Sequence, residues 1–144
     1  MLLDAHARRV VGWAMADHPR TELALDALAM ALQARRPPAG LVHHTDRGCR
    51  YTAADQAALA QHGLVCSMSR SGNCLDNAMA ERCFATRKAE LVDQHPWPTR
   101  AAAKTAVFAW LEVWYNRQRA HPALDYLPPI TFEEDVLSLS GIAA

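Results

Sequence analysis

Short apolar runs alternate along the chain with longer stretches in which apolar residues recur every three or four positions. Short runs that are rich in β-branched or aromatic residues and bounded by Gly, Pro or Asp indicate strands. The predicted strands are a stub at 1–3 and runs at 8–15, 41–45 and 64–67. Because helical segments separate these strands, the pattern predicts an α/β layered fold.

Five helices are predicted from apolar periodicity and capping residues. Leu25, Leu28 and Leu32 repeat at helical spacing after the Thr21 cap. The predicted helices run from 21 to 35, from 52 to about 62 with Gly63 as a C-terminal cap, from about 76 to 91, from the Thr99 cap to about 116, and briefly from a capping-box spacing at 131–134. We expect one compact unit of 144 residues.

Composition narrows the class of protein only slightly. The chain is 51% hydrophobic and 21% charged, which is ordinary for a soluble globular protein. The formal net charge is zero, so a nucleic-acid partner has to be argued from local basic groups. No apolar run approaches the roughly 20 residues that a membrane span needs. We therefore expect a soluble, cytoplasmic protein with no membrane partner.

The cysteines are not arranged for zinc. Cys49, Cys66, Cys74 and Cys83 form no CxxC pair, so neither a zinc site nor a disulfide framework is indicated. Free thiols in a reducing compartment are the expected state.

Three charged residues are candidates for chemistry on phosphates. Asp46 follows a predicted strand, and Glu81 and Lys88 lie seven positions apart on one predicted helix face. A pair of carboxylates can hold Mg²⁺, and a lysine can bind a phosphate as a point charge. A turn-capping aspartate and a solvated helix face would produce the same residues, so spacing alone leaves both interpretations open.

The sequence segments around these residues resemble those of a known family. The segments HTDRGCRYT at 44–52, SGNCLDNAMAE at 71–81, FATRKAEL at 84–91 and WYNRQRAHPAL at 114–124 resemble the integrase core of bacterial insertion-sequence transposases. Tyr126, Pro128 and the strand-like run at 8–13 continue the resemblance. The nearest match is the "insertion sequence three" family, which is related to retroviral integrases and has a ribonuclease-H-like three-layer fold.

The resemblance implies the site residues. It assigns Asp46 and Glu81 as catalytic metal ligands of a DDE triad and Lys88 as the basic residue seven positions after the glutamate. In the family the first aspartate lies on the first core strand, upstream of every residue here, so the fold is expected to be truncated at its N-terminus. Asp4 matches a turn position that is not catalytic.

The resemblance also implies partners and cofactors. Mg²⁺ or Mn²⁺, two ions in the complete enzyme, would be bound by Asp46 and Glu81, and DNA would be contacted by Lys88, Arg47 and Arg119. Other residues have weaker claims. His43 and His44 point to opposite faces of a strand, Asp76 is more typical of a helix cap than of a metal ligand, and Trp110 and Trp114 are more typical of a core.

The resemblance therefore implies a transposase catalytic-core fragment for DNA transposition and integration. Residues 1–127 are expected to form the partial core, and 128–144 a tail with a short helix. Full-length relatives are expected to act as homo-multimers on DNA at the nucleoid. Because the first carboxylate is expected to be absent, this chain is predicted to be inactive alone. The alternative is an inactive remnant that only binds DNA or pairs with a full-length transposase.

Overall fold

The computed structural model describes residues 1–16, 22–45, 53–68, 78–94 and 96–139. These ranges contain four short strands: β1 (Leu2–Leu3), β2 (Val10–Gly12), β3 (Val42–Thr45) and β4 (Val65–Met68). Five α-helices are present in the same parts of the chain: α1 (Glu22–Arg35), α2 (Ala53–Gln61), α3 (Ala78–Glu90), α4 (Arg100–Ala109) and α5 (Pro129–Leu139). The fold is therefore mixed α/β, as the alternating pattern predicts.

The chain is divided into two compact units, so the single compact unit expected from the sequence is wrong. The first comprises Met1–Leu2 and Val11–Arg82, and the second comprises Leu3–Val10 and Cys83–Ala144. The helix α3 contributes its first turn to the first unit and the rest of its length to the second.

The core of the first unit is built from aliphatic side chains on α1, α2 and the segment before β4. Leu28, Leu59 and Leu64 are buried together, and Leu2 and Leu32 pack against them. The strand β2 lies very close to α1, because a Cβ added at Gly12 would lie 2.1 Å from the backbone oxygen of Ala27. Only glycine fits at this contact.

The strands form two separate two-stranded sheets in the described part of the chain, β1 with β2 and β3 with β4. β3 and β4 are parallel, and Val42 is paired with Val65 in their register. Parallel sheets are usually covered on both faces. In this pair Val42 is 58% exposed and Val65 is 50% exposed, so the sheet is unusually open to solvent.

The second unit is organised around a change of helix type. Thr99 caps α4, and its hydroxyl accepts a hydrogen bond from the Ala102 amide at 3.1 Å. α4 continues without a break into a π-helical segment, Trp110–Tyr115, in which residues five apart are hydrogen-bonded neighbours. The rings of Trp110 and Tyr115 accordingly pack with their centroids 5.1 Å apart.

A buried side chain, Asn116, follows the π segment and binds the backbone of Val10. Its Oδ1 accepts from the Val10 amide at 2.9 Å, and its Nδ2 donates to the Val10 carbonyl at 3.0 Å. The side-chain amide therefore satisfies the same two backbone groups that a neighbouring strand would satisfy.

Most of the predicted helices are confirmed in type and place. α1, α2 and α3 fall within one or two residues of the predicted ranges, and the first residues predicted for α3 lie outside the described residues. Gly63 ends α2 with a positive φ of 68°, as a C-terminal glycine cap does.

Three predictions about local structure are wrong. The strand predicted at 8–15 is limited to Val10–Gly12, and Arg8 has a φ of 56°, which no strand residue adopts. The last helix starts at Pro129, not after Thr131, because proline suits the first helical position, where no donor is needed. Trp114 is 44% exposed and not core, because its indole N–H is directed to the exposed carboxylate of Glu90, whereas Trp110 is buried as predicted.

Candidate active site

The carboxyl end of the β3–β4 pair is the edge from which the chain continues to Asp46. β3 ends at the buried Thr45, whose partner in the parallel register is Met68, the last residue of β4. In open α/β folds ligands bind beside the carboxyl ends of the strands. Asp46 and Arg47 themselves lie outside the described residues, so their side-chain positions stay predictions.

Glu81 and Lys88 lie on α3, the first in its first turn and the second in its last turn. Both residues are exposed. Seven residues correspond to two helical turns, or about 10 Å along the axis, so both side chains project from the same side of the helix. The structure therefore brings this carboxylate and this ammonium group to one solvent-facing side, which we call the front of α3.

Of the two predicted metal ligands, Glu81 lies in the described ranges and Asp46 lies outside them. In the described ranges no group of three or more His, Cys, Asp or Glu side chains is arranged to hold a metal ion. Of the two predicted ligands, Glu81 is the one whose position the structure describes, at an exposed site in the first turn of α3. A carboxylate in that environment keeps its oxygens open to a hydrated divalent cation.

The opposite side of α3, which we call its back, is attached to the π-helical segment and the residues after it. Cys83 is 3% exposed, and the Tyr115 hydroxyl donates a hydrogen bond to its sulfur. Glu90, the last residue of α3, receives two hydrogen bonds on its two oxygens: the Trp114 indole Nε1 donates at 3.1 Å and the Arg119 Nε at 2.9 Å. The side chains of Trp114, Tyr115 and Arg119 therefore bind the back of α3.

Burial controls the protonation of the Cys83–Tyr115 pair. Loss of solvent raises the pKa of the Cys83 thiol, although the Tyr115 hydrogen bond opposes this rise. Loss of solvent also raises the pKa of Tyr115 far above its usual value, and the neighbouring cysteine adds to the effect. Both groups therefore stay protonated at neutral pH, and Cys83 is a structural thiol.

Arg119, predicted to bind DNA, is ion-paired with Glu90 in the structure. Its Nη1 also lies 3.4 Å from the Nε2 of His121. The ring of His121 meets the Tyr115 ring edge-on, with the centroids 4.9 Å apart. Burial, and then the charges of Arg119 and Arg8, lower the pKa of His121 to about 4, so this imidazole is neutral at physiological pH.

The other residues considered in the sequence have structural roles or lie outside the described residues. Asp4 caps a turn, because its Oδ1 accepts from the His6 amide at 2.8 Å and the Ala7 amide at 3.1 Å. His43 is partly buried and His44 is exposed, as expected for adjacent residues on a strand. Asp76 lies outside the described residues. Cys66 and Cys83 are free, as predicted, and the other two cysteines lie outside the described parts.

Sequence reasoning missed the residues that hold α3 from behind. Glu90 and Arg119 are 29 positions apart, and no spacing rule pairs residues across such a distance. The signal available was compositional: a Trp-Tyr-Asn run near the end of a predicted helix places two aromatic hydrogen-bond donors and one amide together.

The chain matches two family models, and both are described as "Integrase core domain". One matches residues 1–74 and the other matches residues 62–129. Integrase core domains have a ribonuclease-H-like α/β fold, with which the mixed α/β arrangement is consistent. None of the helices in the described ranges is long and apolar enough to cross a membrane.

Several curated proteins are similar to this chain over nearly its whole length. A transposase for insertion sequence element IS904 from Lactococcus lactis subsp. lactis (strain IL1403) is 40% identical over 133 residues, which cover 92% of this chain and 53% of the relative. An insertion element IS600 uncharacterized 31 kDa protein from Shigella sonnei is 42% identical, with 91% and 48% covered. Transposase InsF for insertion sequence IS3A from Escherichia coli (strain K12) is 40% identical, with 96% and 48% covered.

The chain thus spans about half the length of the relatives that it matches. The family model match and these identities agree with the resemblance to insertion-sequence transposases found in its motifs. This chain belongs to the integrase core domain family, among relatives of the IS3-type transposases.

Proposed function

We propose that the chain is a segment of the catalytic core of a DDE transposase. In the complete protein this core would cleave phosphodiester bonds at the transposon ends and transfer the strands to target DNA. The observation that supports this most is the front of α3, where Glu81 and Lys88 share one exposed side two turns apart. Phosphoryl transfer needs bound metal ions and positive charge near the phosphate, and a carboxylate and an ammonium group on one helix face suit both needs.

Asp46 and Glu81 would hold the divalent cation, Mg²⁺ or Mn²⁺. The donor chemistry fits, because both ions take carboxylate oxygens and retain water molecules in an exposed site. When bound, two such ions supply the positive charge that stabilises the attacking and leaving oxygens of an in-line displacement. Glu81 contributes to this site by presenting its carboxylate from the first turn of a helix.

Lys88, Arg47 and Arg119 would bind the DNA backbone. The exposed Lys88 acts as a point charge for one phosphate. Arg119 donates its Nε to Glu90, and a guanidinium has further N–H groups for a phosphate. Because the formal net charge of the chain is zero, DNA affinity depends on these local groups.

A third carboxylate is proposed to complete the site in the full-length protein, since this chain spans about half the length of its relatives. The first carboxylate of the triad would lie on an upstream core strand, with 1–127 forming a partial core and 128–144 a tail. Two carboxylates bind a second cation poorly, so this chain alone would not transfer strands. In the full-length form the protein would act as a homo-multimer on DNA at the nucleoid. The competing possibility is a remnant that only binds DNA or pairs with a full-length transposase.

A strand-joining assay tests whether the two carboxylates Asp46 and Glu81 suffice without the third. The chain is incubated with labelled duplexes that carry the ends of its own insertion sequence, in Mg²⁺ and separately in Mn²⁺. We expect no joined product. Joining by the wild-type chain that Glu81→Gln abolishes would show that the site is complete and would refute this part of the proposal.

DNA binding is tested with the two lysines of the chain as a matched pair. Lys88 and Lys104 are both exposed, but only Lys88 lies on the front of α3. Fluorescence anisotropy with the same duplexes is measured at several salt concentrations. We expect Lys88→Ala to reduce the slope of log affinity against log salt by about 1, and Lys104→Ala to leave it unchanged. Equal slopes for both variants would remove Lys88 from the proposed DNA contact.

A further inference from the structure

The two sides of α3 have different environments. Each residue advances an α-helix by about 100°, so residues two positions apart point in roughly opposite directions. Cys83 lies two positions after Glu81, and Glu90 lies two positions after Lys88. The back residues Cys83 and Glu90 therefore stand directly behind the two front residues.

The back of α3 is held at two points. Tyr115 binds Cys83 near the start of the helix, and Trp114 with Arg119 binds Glu90 at its last residue. These points are seven residues, or about 10 Å, apart along the axis. Attachment at two separated points resists rotation of the helix about its axis, which attachment at one point does not.

The Glu90 contact acts on the turn that contains Lys88. The last turns of helices fray because their final carbonyls have no partner within the helix. Here both oxygens of the terminal Glu90 are engaged, and its side chain is 34% exposed. An ion pair at this exposure contributes little to global stability. Its larger effect is local. The Leu91 amide and the Gln94 side chain already bind the Arg87 and Ala89 carbonyls of the last turn, and the Glu90 contact adds an attachment outside the helix.

The binding partners on the other side are themselves rigid. Trp114 and Tyr115 belong to the π-helical segment, and the next residue, Asn116, is fixed by two hydrogen bonds to the backbone of Val10. Arg119 follows three residues later. The attachment therefore ties the last turn of α3 to a firmly held part of the same unit.

We infer that Trp114, Tyr115 and Glu90 are positioning residues that hold the front of α3 in an ordered geometry for DNA. This inference rests on the proposed function, because it takes Lys88 to contact a phosphate. With the last turn ordered before DNA binds, the phosphate contact does not have to order the backbone as well. Without the attachment the last turn keeps its Gln94 cap but loses its tie to the π-helical segment, and the contribution of Lys88 to affinity declines.

The test is a double-mutant cycle between each positioning residue and Lys88, read as DNA affinity. Trp114→Phe removes the indole donor, and Tyr115→Phe removes the hydroxyl donor, both without changing charge. Glu90→Ala removes the acceptor, and Asp93→Ala is its control, since Asp93 is an exposed carboxylate beyond the end of α3. Circular dichroism verifies that each variant is folded.

In the wild-type background, Lys88→Ala is expected to lower DNA affinity about five- to tenfold, as for one phosphate contact. In Glu90→Ala or the Trp114→Phe/Tyr115→Phe double variant, Lys88→Ala is expected to lower it less than about twofold. Glu90→Gln, which keeps one amide oxygen as an acceptor, is expected to restore part of the Lys88 effect. In Asp93→Ala the full effect of Lys88→Ala is expected.

Two outcomes would overturn the inference, and they differ. If Lys88→Ala has the same effect in every background, Lys88 binds DNA but the attachment does not position it. If Lys88→Ala has no effect even in the wild-type background, the proposed role of Lys88 fails, and with it the reason for positioning. The first comparison in the cycle distinguishes these two results.

Discussion

Replacing Asn116 by alanine is expected to be among the most damaging single changes in the second unit. Asn116 is 1% exposed, and its side chain supplies a partner to both the amide and the carbonyl of Val10, at 2.9 and 3.0 Å. Val10 is itself 3% exposed, so water does not reach these backbone groups readily. The substitution would remove two hydrogen bonds and leave two buried polar groups unpaired.

The expected loss follows from these two groups. A buried donor or acceptor that loses its partner costs about 1–3 kcal/mol, so the two together cost about 2–6 kcal/mol. A small domain has about 5–15 kcal/mol of total stability, so Asn116→Ala would remove a large fraction of it. Asn116→Asp would keep the acceptor for the Val10 amide, but it would place a buried carboxylate opposite the Val10 carbonyl. We expect it to be no less destabilising at neutral pH.

Urea unfolding followed by tryptophan fluorescence measures the effect, because Trp110 and Trp114 lie in the same unit as Asn116. Gln118→Ala is the matched control, since it removes an amide side chain from an exposed position two residues away. We expect the control to change the free energy of unfolding by less than about 0.5 kcal/mol. A loss below about 1 kcal/mol for Asn116→Ala would refute the reasoning, because it would mean that Val10 finds other partners.

Two further predictions concern packing and pH. Gly12→Ala is expected to cost about 3 kcal/mol or more, because the new Cβ would lie 2.1 Å from the Ala27 oxygen. At Gly40 an added Cβ would meet no atom within 4 Å, and only the positive φ of 88° disfavours alanine. Thermal melting should therefore show that Gly40→Ala lowers the free energy of unfolding by about 1 kcal/mol. A larger loss at Gly40 than at Gly12 would contradict this. For His121, the folded state resists protonation down to a pKa of about 4, whereas the unfolded chain titrates near 6.5. Stability should therefore fall as the pH falls from about 6.5 to about 4, by about 1–2 kcal/mol for this partly exposed ring, and His121→Gln should abolish that part. An identical pH profile for the variant would exclude His121 as the cause.

The elements that could be predicted from sequence are those defined by local signals. The helix α4 begins at Thr99 because a threonine hydroxyl caps the first amides, and that preference is visible in the sequence. The helix α2 ends at Gly63 because glycine adopts a positive φ readily. Such rules act within a few residues, so they need no knowledge of the fold.

The π-helical segment shows why other features could not be predicted. Trp110 and Trp114 have the spacing of one helical face, yet only Trp110 is buried, whereas the Trp114 indole binds Glu90, which lies 24 positions away in the sequence. The partner of Asn116 is 106 positions away, and that of Glu90 is 29 positions away from it. Contacts at such separations depend on the folded chain and leave no periodic trace in the sequence.

The shared helix face of the candidate site could be predicted because it depends on local spacing. The contacts behind it could not, because they join residues that are distant in the sequence. Glu81 and Lys88 share a helix face, and a spacing of seven is enough to predict this. The motifs around them imply that Glu81 binds metal and Lys88 binds phosphate, and both roles stay predictions. The attachment of Cys83 and Glu90 behind them became visible only in the structure.

The exposure of apolar side chains on the β3–β4 pair affects the solubility of the purified chain. Leu41, Val42 and Val65 are each at least half exposed in and beside the parallel β3–β4 pair. Exposed apolar side chains that lie close together favour association between molecules. The sequence pI is about 7.0, so near neutral pH there is also no net repulsion to keep molecules apart. Purified chain is therefore expected to be least soluble close to pH 7 and to gain colloidal stability on either side of it.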